Sequence, residues 1–89
     1  MKIKFTETGW SDYICWQKQD KKTLKKINVL IADIARHGGG EGLGKSEPLK
    51  GEFSGWWSRH IDEKNRLIYR VTDEDAVEIA QCKGHYGDR

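Results

Sequence analysis

The stretch Arg66-Leu67-Ile68-Tyr69-Arg70-Val71-Thr72-Asp73-Glu74-Asp75-Ala76-Val77-Glu78-Ile79-Ala80-Gln81 decides the fold. Arg66, Ile68 and Arg70 fall on one side of a two-residue alternation, and Leu67, Tyr69 and Val71 fall on the other. That period belongs to a half-buried strand. Thr72-Asp73-Glu74-Asp75 is turn-forming, after which Val77, Ile79, Gln81, Lys83 and His85 line one face of a last strand. Working back along the chain, Phe53, Trp57, Arg59 and Ile61 face one way, while Trp56, Ser58 and His60 face the other. Asp62-Glu63-Lys64-Asn65 is the hairpin turn between them. Three strands joined by tight turns make an antiparallel meander.

The apolar face of such a sheet needs a cover, and the N-terminal half supplies it. Residues 2–6 alternate weakly and predict a short first strand. Trp10, Tyr13, Ile14 and Gln17 share helical spacing, which predicts a helix over 9–18 capped by Thr8. Asp20 caps a second helix. Its stripe of Leu24, Ile27, Leu30, Ile31, Ile34 and Ala35 recurs at i, i+3, i+4 and i+7. Gly38 ends that helix in the left-handed conformation usual after a last turn. The expected fold is α+β: two N-terminal helices on one face of a twisted antiparallel sheet, with the first strand at an edge or beside the last. Residues 38–44 hold five glycines and read as a flexible loop, with neither phosphate-cradling glycine pattern present.

Length and composition bound the function. Eighty-nine residues make one domain, 1–89, with 36% hydrophobic and 34% charged residues and a single proline. That excludes a disordered chain, and no apolar run approaches the ~20 residues of a membrane-spanning helix. The start, Met1-Lys2-Ile3-Lys4-Phe5, lacks the apolar segment of a signal peptide, so the expected compartment is the cytoplasm and no membrane partner is expected. Cys15 and Cys82 sit in apolar patterns and read as small buried side chains. Cys82 and His85 have a ligand-like gap, but no second pair completes a metal site, so no metal or other cofactor is expected.

The net charge of +2 is a weak signal, and its distribution is a stronger one. Lys21, Lys22, Lys25 and Lys26 share one helix face. Arg59, His60, Lys64, Arg66, Arg70, Lys83, His85 and Arg89 crowd the second half among aromatics. A basic sheet with interleaved aromatics leans toward a polyanion. RNA can be cleaved by its own 2′-hydroxyl, given a base for that proton, a cation for the phosphorane and an acid for the leaving oxygen. Glu47, Arg66 and His85 could fill those roles in turn. Each has a plainer reading: a solvated loop carboxylate, a hairpin ion pair with Asp62 or Glu63, and an idle terminal imidazole. Tyr86 could stack on a base or merely pack at the strand end, and the lysine quartet alone reads as a solvated face.

One further observation joins these residues. The helices carry Trp10-Ser11-Asp12-Tyr13, Trp16-Gln17, Asp20-Lys21, Lys25-Lys26-Ile27-Asn28 and Leu30-Ile31. The rest carries Glu47-Pro48-Leu49-Lys50, Ser54-Gly55, Trp57-Ser58-Arg59, Arg66-Leu67, Tyr69, Val71-Thr72-Asp73, Cys82 and His85-Tyr86. On these residues the chain resembles, over nearly its whole length, the YoeB (Txe) toxins of bacterial toxin–antitoxin pairs, in the RelE superfamily. The resemblance implies a fold related to small microbial RNases and a metal-independent endoribonuclease that cuts mRNA in the ribosomal A site and stops translation. It places catalysis on Glu47, Arg66 and His85. It places RNA or phosphate contacts on Lys50, Arg59, His60 and Tyr86, and ribosomal RNA contact on the face of Lys21, Lys22, Lys25 and Lys26. The implied partners are mRNA on the ribosome, ribosomal RNA and a cognate antitoxin of the YefM/Axe kind. Monomer and homodimer both stay open. Four departures stand out: His60 where a second arginine is usual, three glycines at residues 38–40 in place of a proline-containing stretch (a looser loop is expected), Gly84 in place of a bulkier residue before His85, and Gly87-Asp88-Arg89 beyond the usual terminal tyrosine. The competing readings are a toxin of the same fold that binds a protein such as a topoisomerase, and an RNA-binding module without turnover.

Overall fold

Asp20 alone separates the two helices, in a computed structural model that describes residues 1–38, 40 and 42–85. Helix α1 runs Glu7–Gln19 and helix α2 runs Lys21–His37. Asp20 Oδ1 accepts from the amides of Lys22 (3.0 Å) and Thr23 (3.2 Å), and Oδ2 accepts from the Thr23 hydroxyl. The expected cap on α2 is therefore in place. The hydrogen bonds from Thr23, side chain first, hold the Asp20 carboxyl below its ordinary range. Ile27, Leu30, Ile31 and Ile34 are buried as the stripe predicts, with Leu24 and Ala35 packed beside them. Gly38 ends α2 at φ 87°.

Helix α1 departs from its expected form. Thr6, not Thr8, is its cap, accepting from Gly9 N at 3.0 Å. Its buried residues are Gly9, Asp12 and Trp16, whereas Trp10 is 51% exposed and packs against Phe5 and Tyr13. Apolar spacing missed this face because two of its three residues are not apolar. Asp12 Oδ2 accepts from Cys82 N (3.0 Å), and Trp16 Nε1 donates to Cys82 O (2.8 Å). Gly9 lies so close to the sheet that a Cβ there would stand 2.3 Å from Ile79 O.

The sheet has five strands: β1 (Lys2–Phe5), β2 (Glu47–Pro48), β3 (Trp57–His60), β4 (Arg66–Thr72) and β5 (Ala76–Gln81). Their spatial order is β1-β5-β4-β3-β2. The meander β3-β4-β5 is antiparallel as expected, and its turns fall at 62–65 and 73–75. The first strand does lie beside the last, but parallel to it, so the sheet is mixed rather than wholly antiparallel. Alternation specifies which side chains face the core and leaves strand direction open. Phe53 belongs to a 3-10 turn, Gly51–Phe53, because Gly51 (φ 67°) and Gly55 (φ 94°) bend the chain before β3. The helices cover one face, where Leu67, Tyr69, Val77 and Ile79 meet Trp16 and the α2 stripe. Among the described residues no helix is long and apolar enough to cross a membrane.

One irregularity sets up everything on the other face. Ile68 pairs with Gln81 and Tyr69 pairs with Ile79, so Ala80 is an extra residue in β5. A bulge inverts the facing of whatever follows it. Gln81 therefore turns away from Val77 and Ile79, and the expected common face for Val77, Ile79, Gln81, Lys83 and His85 breaks there. The strand itself stops at Gln81, and residues 83–85 form a bend.

Gly9→Ala tests the close approach of helix and sheet. Alanine improves helix propensity by about 1 kcal/mol, yet its methyl must displace a backbone oxygen. A net loss of roughly 1–3 kcal/mol in urea unfolding is expected. An unchanged or raised midpoint would show that α1 has room to move.

Candidate active site on the open sheet face

Residues opposite one another in adjacent strands share a face, so the register arranges the side away from the helices in rows, of which the Ser58–Ile68–Gln81 row is buried. Glu47 pairs with Ser58, Ser58 with Ile68, and Ile68 with Gln81. One step along, two residues further on each strand, His60 pairs with Arg66. One step the other way, Arg70 pairs with Glu78 and Glu78 with Lys4. Glu47, His60 and Arg66, which sequence reasoning singled out separately, therefore stand on one face within two rows.

The tail brings in the fourth group. Arg66 N donates to Gly84 O (2.9 Å), and Gly84 N donates to Asn65 Oδ1 (2.8 Å). Gln81 Nε2 donates to the carbonyls of Lys83 (3.3 Å) and His85 (2.8 Å). Beyond the end of β5 the chain thus stays fastened beside β4, and exposed His85 follows directly after the residue bonded to Arg66. Below, Asp12 and Trp16 grip Cys82, as described above. Asn65 and Gln81 were not among the expected site residues. Their signal was present but ordinary: one polar residue in a turn and one on a strand.

Asn65 is itself braced. Asp62 Oδ1 accepts from the amides of Lys64 (2.8 Å) and Asn65 (2.7 Å), and both Asp62 oxygens accept from Asn65 Nδ2. Partial burial pushes the Asp62 carboxyl up. The hydrogen bonds from Asn65 and Lys64, with the nearby Arg66 charge, outweigh it and hold the group below its ordinary range. Arg66 makes no side-chain ion pair with Asp62. Its Nη1 donates instead to the carbonyls of Asp62 (2.6 Å) and Asn65 (3.1 Å), which fixes the guanidinium over the hairpin.

Arg59 requires a correction. It was expected to bind phosphate, but its side chain is 0% exposed and faces the helices with Trp57. Its Nε donates to Tyr69 OH (2.9 Å), Nη1 to Asp33 Oδ2 (2.6 Å) and Leu43 O (3.0 Å), and Nη2 to Gly38 O (3.3 Å). Tyr69 OH lies 2.9 Å from the Ser46 hydroxyl, one residue before Glu47. A guanidinium so placed cannot reach a phosphate. It fastens the described part of the glycine loop, and through Ser46 the entry to β2, onto the sheet. The loop expected to be loose is tied at these points. Gly42 (φ 108°) packs against Asp33 so closely that a Cβ would overlap the carboxylate. The Arg59 hydrogen bond, then the Leu43 amide, hold the Asp33 carboxyl below its ordinary value of 3.8.

The remaining expectations divide. His60 is half-buried on the open face, its amide held by Gly44 O (2.7 Å). Lys50 is exposed just beyond β2. Lys21, Lys22, Lys25 and Lys26 are all exposed, and Lys22 and Lys26 line a shallow cleft with Ile61 and Asp62. The basic helix face therefore adjoins the β3–β4 hairpin, at the end of the sheet that carries His60 and Arg66. Tyr86 and residues 87–89 lie outside the described residues.

Comparison with known proteins agrees with this architecture. A family profile described as "YoeB-like toxin of bacterial type II toxin-antitoxin system" matches residues 5–86. The curated Toxin YoeB of Streptomyces coelicolor is 54% identical over 86 residues, covering 97% of this chain and 100% of that protein. A solved YoeB/ParE toxin from Agrobacterium tumefaciens superposes with a TM-score of 0.92 at 44% identity, over 97% of this chain and 100% of that one. YoeB from Staphylococcus aureus has been solved in a heterotetrameric complex with YefM (TM-score 0.89, 44% identity, 97% and 98% coverage) and as a dimer (0.88, 43%, same coverage).

Two outcomes test this construction. Arg59→Ala strands several buried partners and should cost roughly 3 kcal/mol or more in urea unfolding at pH 7. The Asp33 contribution, from a carboxyl whose folded value is depressed, is fully present above about pH 4 and disappears as pH falls through that folded value. The stability of the wild type should therefore drop in acid more steeply than that of Arg59→Ala, and parallel acid limbs would refute the pairing. Asn65→Ala should raise amide exchange at Gly84 by about 2- to 10-fold, the factor carried by one net hydrogen bond. Central β4 amides should be unaffected, and unchanged Gly84 exchange would show the tail is held otherwise.

Proposed function

The chain belongs to the YoeB-like toxins of bacterial type II toxin–antitoxin systems, and from that premise we propose that it is a ribosome-dependent endoribonuclease that cleaves mRNA in the A site. The observation that carries the reading is the fastening of the tail. Arg66 and Asn65 hold Gly84, and Gln81 holds the His85 carbonyl, beside the face that bears Glu47.

The chemistry follows from the order of strands. Glu47 lies on β2 at one margin and His85 at the opposite margin beyond β5, with Ser58, Ile68 and Arg66 between them. A phosphodiester laid across the strands has its 2′-hydroxyl toward Glu47 and its 5′-oxygen toward His85. Glu47 takes the 2′-hydroxyl proton, and the oxygen forms a new bond to phosphorus. Charge gathers on the phosphorane oxygens, where the Arg66 guanidinium opposes it. The bond from phosphorus to the 5′-oxygen breaks, and the imidazolium of His85 protonates the leaving oxygen. The products are a 2′,3′-cyclic phosphate and a 5′-hydroxyl end. No group beyond these side chains and the RNA is needed for the proton balance. Lys50, past β2, adds positive charge, and His60, beside Arg66, adds a hydrogen-bonding imidazole.

Partners follow the same logic. The lysine face of α2 borders this end of the sheet and is the proposed contact to ribosomal RNA. The S. aureus relative was solved with YefM, and for this chain we assign a corresponding antitoxin whose acidic segment lies over the basic face. Pairing of two copies is assigned likewise from the dimer of that relative.

Glu47→Gln, Arg66→Ala and His85→Ala should each lower cutting of mRNA on programmed ribosomes by about 100-fold or more, with folding retained. Primer extension should locate the cuts in the A site, and end-group analysis should find cyclic phosphates. Message left intact by the wild type would end the nuclease reading, and full cutting by His85→Ala would remove the acid from its place.

A further inference from the structure

The row next to the proposed reaction centre has no role in the mechanism above, yet it is built. Arg70 lies over the Trp56 ring with its guanidinium carbon 4.6 Å from the centroid. Its Nε donates to Glu78 Oε1 at 2.7 Å, although the side chain is 46% exposed. An exposed arginine held from one side by an indole and from the edge by a carboxylate has lost most of its rotational freedom. It presents the outer side of a flat, oriented cation to solvent. Beside it opens a cleft of about 430 Å³, lined by Lys4, Gly55, Thr72, Glu78 and neighbouring residues of the β4–β5 turn. Thr72 Oγ1 is buried there and finds no hydrogen-bond partner among the described residues.

We propose that Arg70, backed by Trp56, is a stacking platform for the nucleobase on the 5′ side of the cut. The assignment rests on the nuclease reading, which supplies the direction. Trp56 immediately precedes β3, and its carbonyl accepts from Leu49 N, two residues after Glu47. Arg70 itself is on the central strand, and its row lies on the opposite side of the Glu47–Ser58–Ile68 row from Arg66, so the platform is away from His85 along the strands. It is two residues of strand from the Ser58–Ile68 row, a step of about 7 Å. The nucleotide whose ribose meets Glu47 can reach it with its base.

Charge decides between a base and a phosphate. Lys4 and Arg70 line the cleft, but so do Asp73, Glu74 and Glu78. Mixed charge repels a phosphate as much as it attracts one. It suits the edge of a base, whose amino groups donate and whose ring nitrogens and carbonyls accept. The Thr72 hydroxyl can do either. Guanidinium planes and indoles both stack on bases with little regard to identity, so the platform supplies binding, and the cleft edge is where base preference arises.

The test removes the base rather than the protein group. Ribosomes are programmed with a message at its mapped cut site and with the same message carrying an abasic ribose at the nucleotide that supplies the 2′-hydroxyl. The wild type should lose roughly 10- to 100-fold in kcat/KM on the abasic message. Arg70→Ala and Trp56→Leu should show that loss already on the intact message, and little more on the abasic one. Arg70→Lys keeps the charge without the plane and should behave as Arg70→Ala. Urea midpoints check that each variant is folded, and Arg70→Gln replaces any that is not. Rescue by lysine would make the contact a phosphate contact and overturn the proposal. So would equal discrimination by wild type and Arg70→Ala, or a penalty confined to the base 3′ of the cut. If the wild type cuts neither message, the nuclease reading fails by itself. Titration of the two RNAs free in solution then decides the platform: a preference for the intact strand that Arg70→Ala abolishes supports it, and equal affinity refutes it.

Discussion

The buried guanidinium of Arg59 is the constraint on which the rest of the molecule depends. A charge removed from water is tolerated only when its donors are met. Here they are met from three elements: Asp33 on α2, Tyr69 on β4, and the carbonyls of Gly38 and Leu43 on the glycine loop. Tyr69 stands far along the chain from the other three. A single side chain therefore fixes the helix layer against the sheet and the loop against both. The benefit reaches the open face indirectly. β2 has only two residues, too few to hold a register unaided, and Ser46 at its entry is tied to the same tyrosine hydroxyl that Arg59 meets.

The opposite margin of the sheet is held by different means. There the backbone does the positioning, through Cys82 between Asp12 and Trp16 and through Gly84 between Arg66 and Asn65. A reactive group on a free tail would spend most of its time elsewhere. Fastening the peptide at Cys82, before the bend, and at Gly84, within it, limits that loss before substrate arrives. The two margins thus carry the proposed base and acid on supports that share no residue. The arginine between them is set by carbonyls of the intervening hairpin.

How much of this was legible in the sequence depended on the kind of signal. The α2 stripe and the Asp20 cap were plain, because burial of one helix face and satisfaction of its first amides are local demands. The meander was plain for the same reason. The inward facing of Arg59 could also be read, since alternation placed it with Trp57 and Ile61; the likeness to a phosphate-binding family position argued the other way, and the periodicity was the better guide. Gly9 and Asp12 could not be read as a helix face, because one is buried by close approach and the other as an acceptor for the Cys82 amide. The Ala80 bulge left no mark at all, and with it went the facing of Gln81. The parallel direction of β1 is set by pairing across some seventy residues and has no local trace.

That last pairing reaches into the making of the protein. Lys2 to Phe5 pair with Ala76 to Ile79, so that strand must wait for partners synthesised some seventy residues later. Until then the sheet lacks a border strand, and the seat of Gly9 against Ile79 does not exist. Contacts so distant along the chain make assembly late and all at once, because the loop between them must close before they contribute. A polypeptide interrupted before its final strand lacks the margin that carries His85.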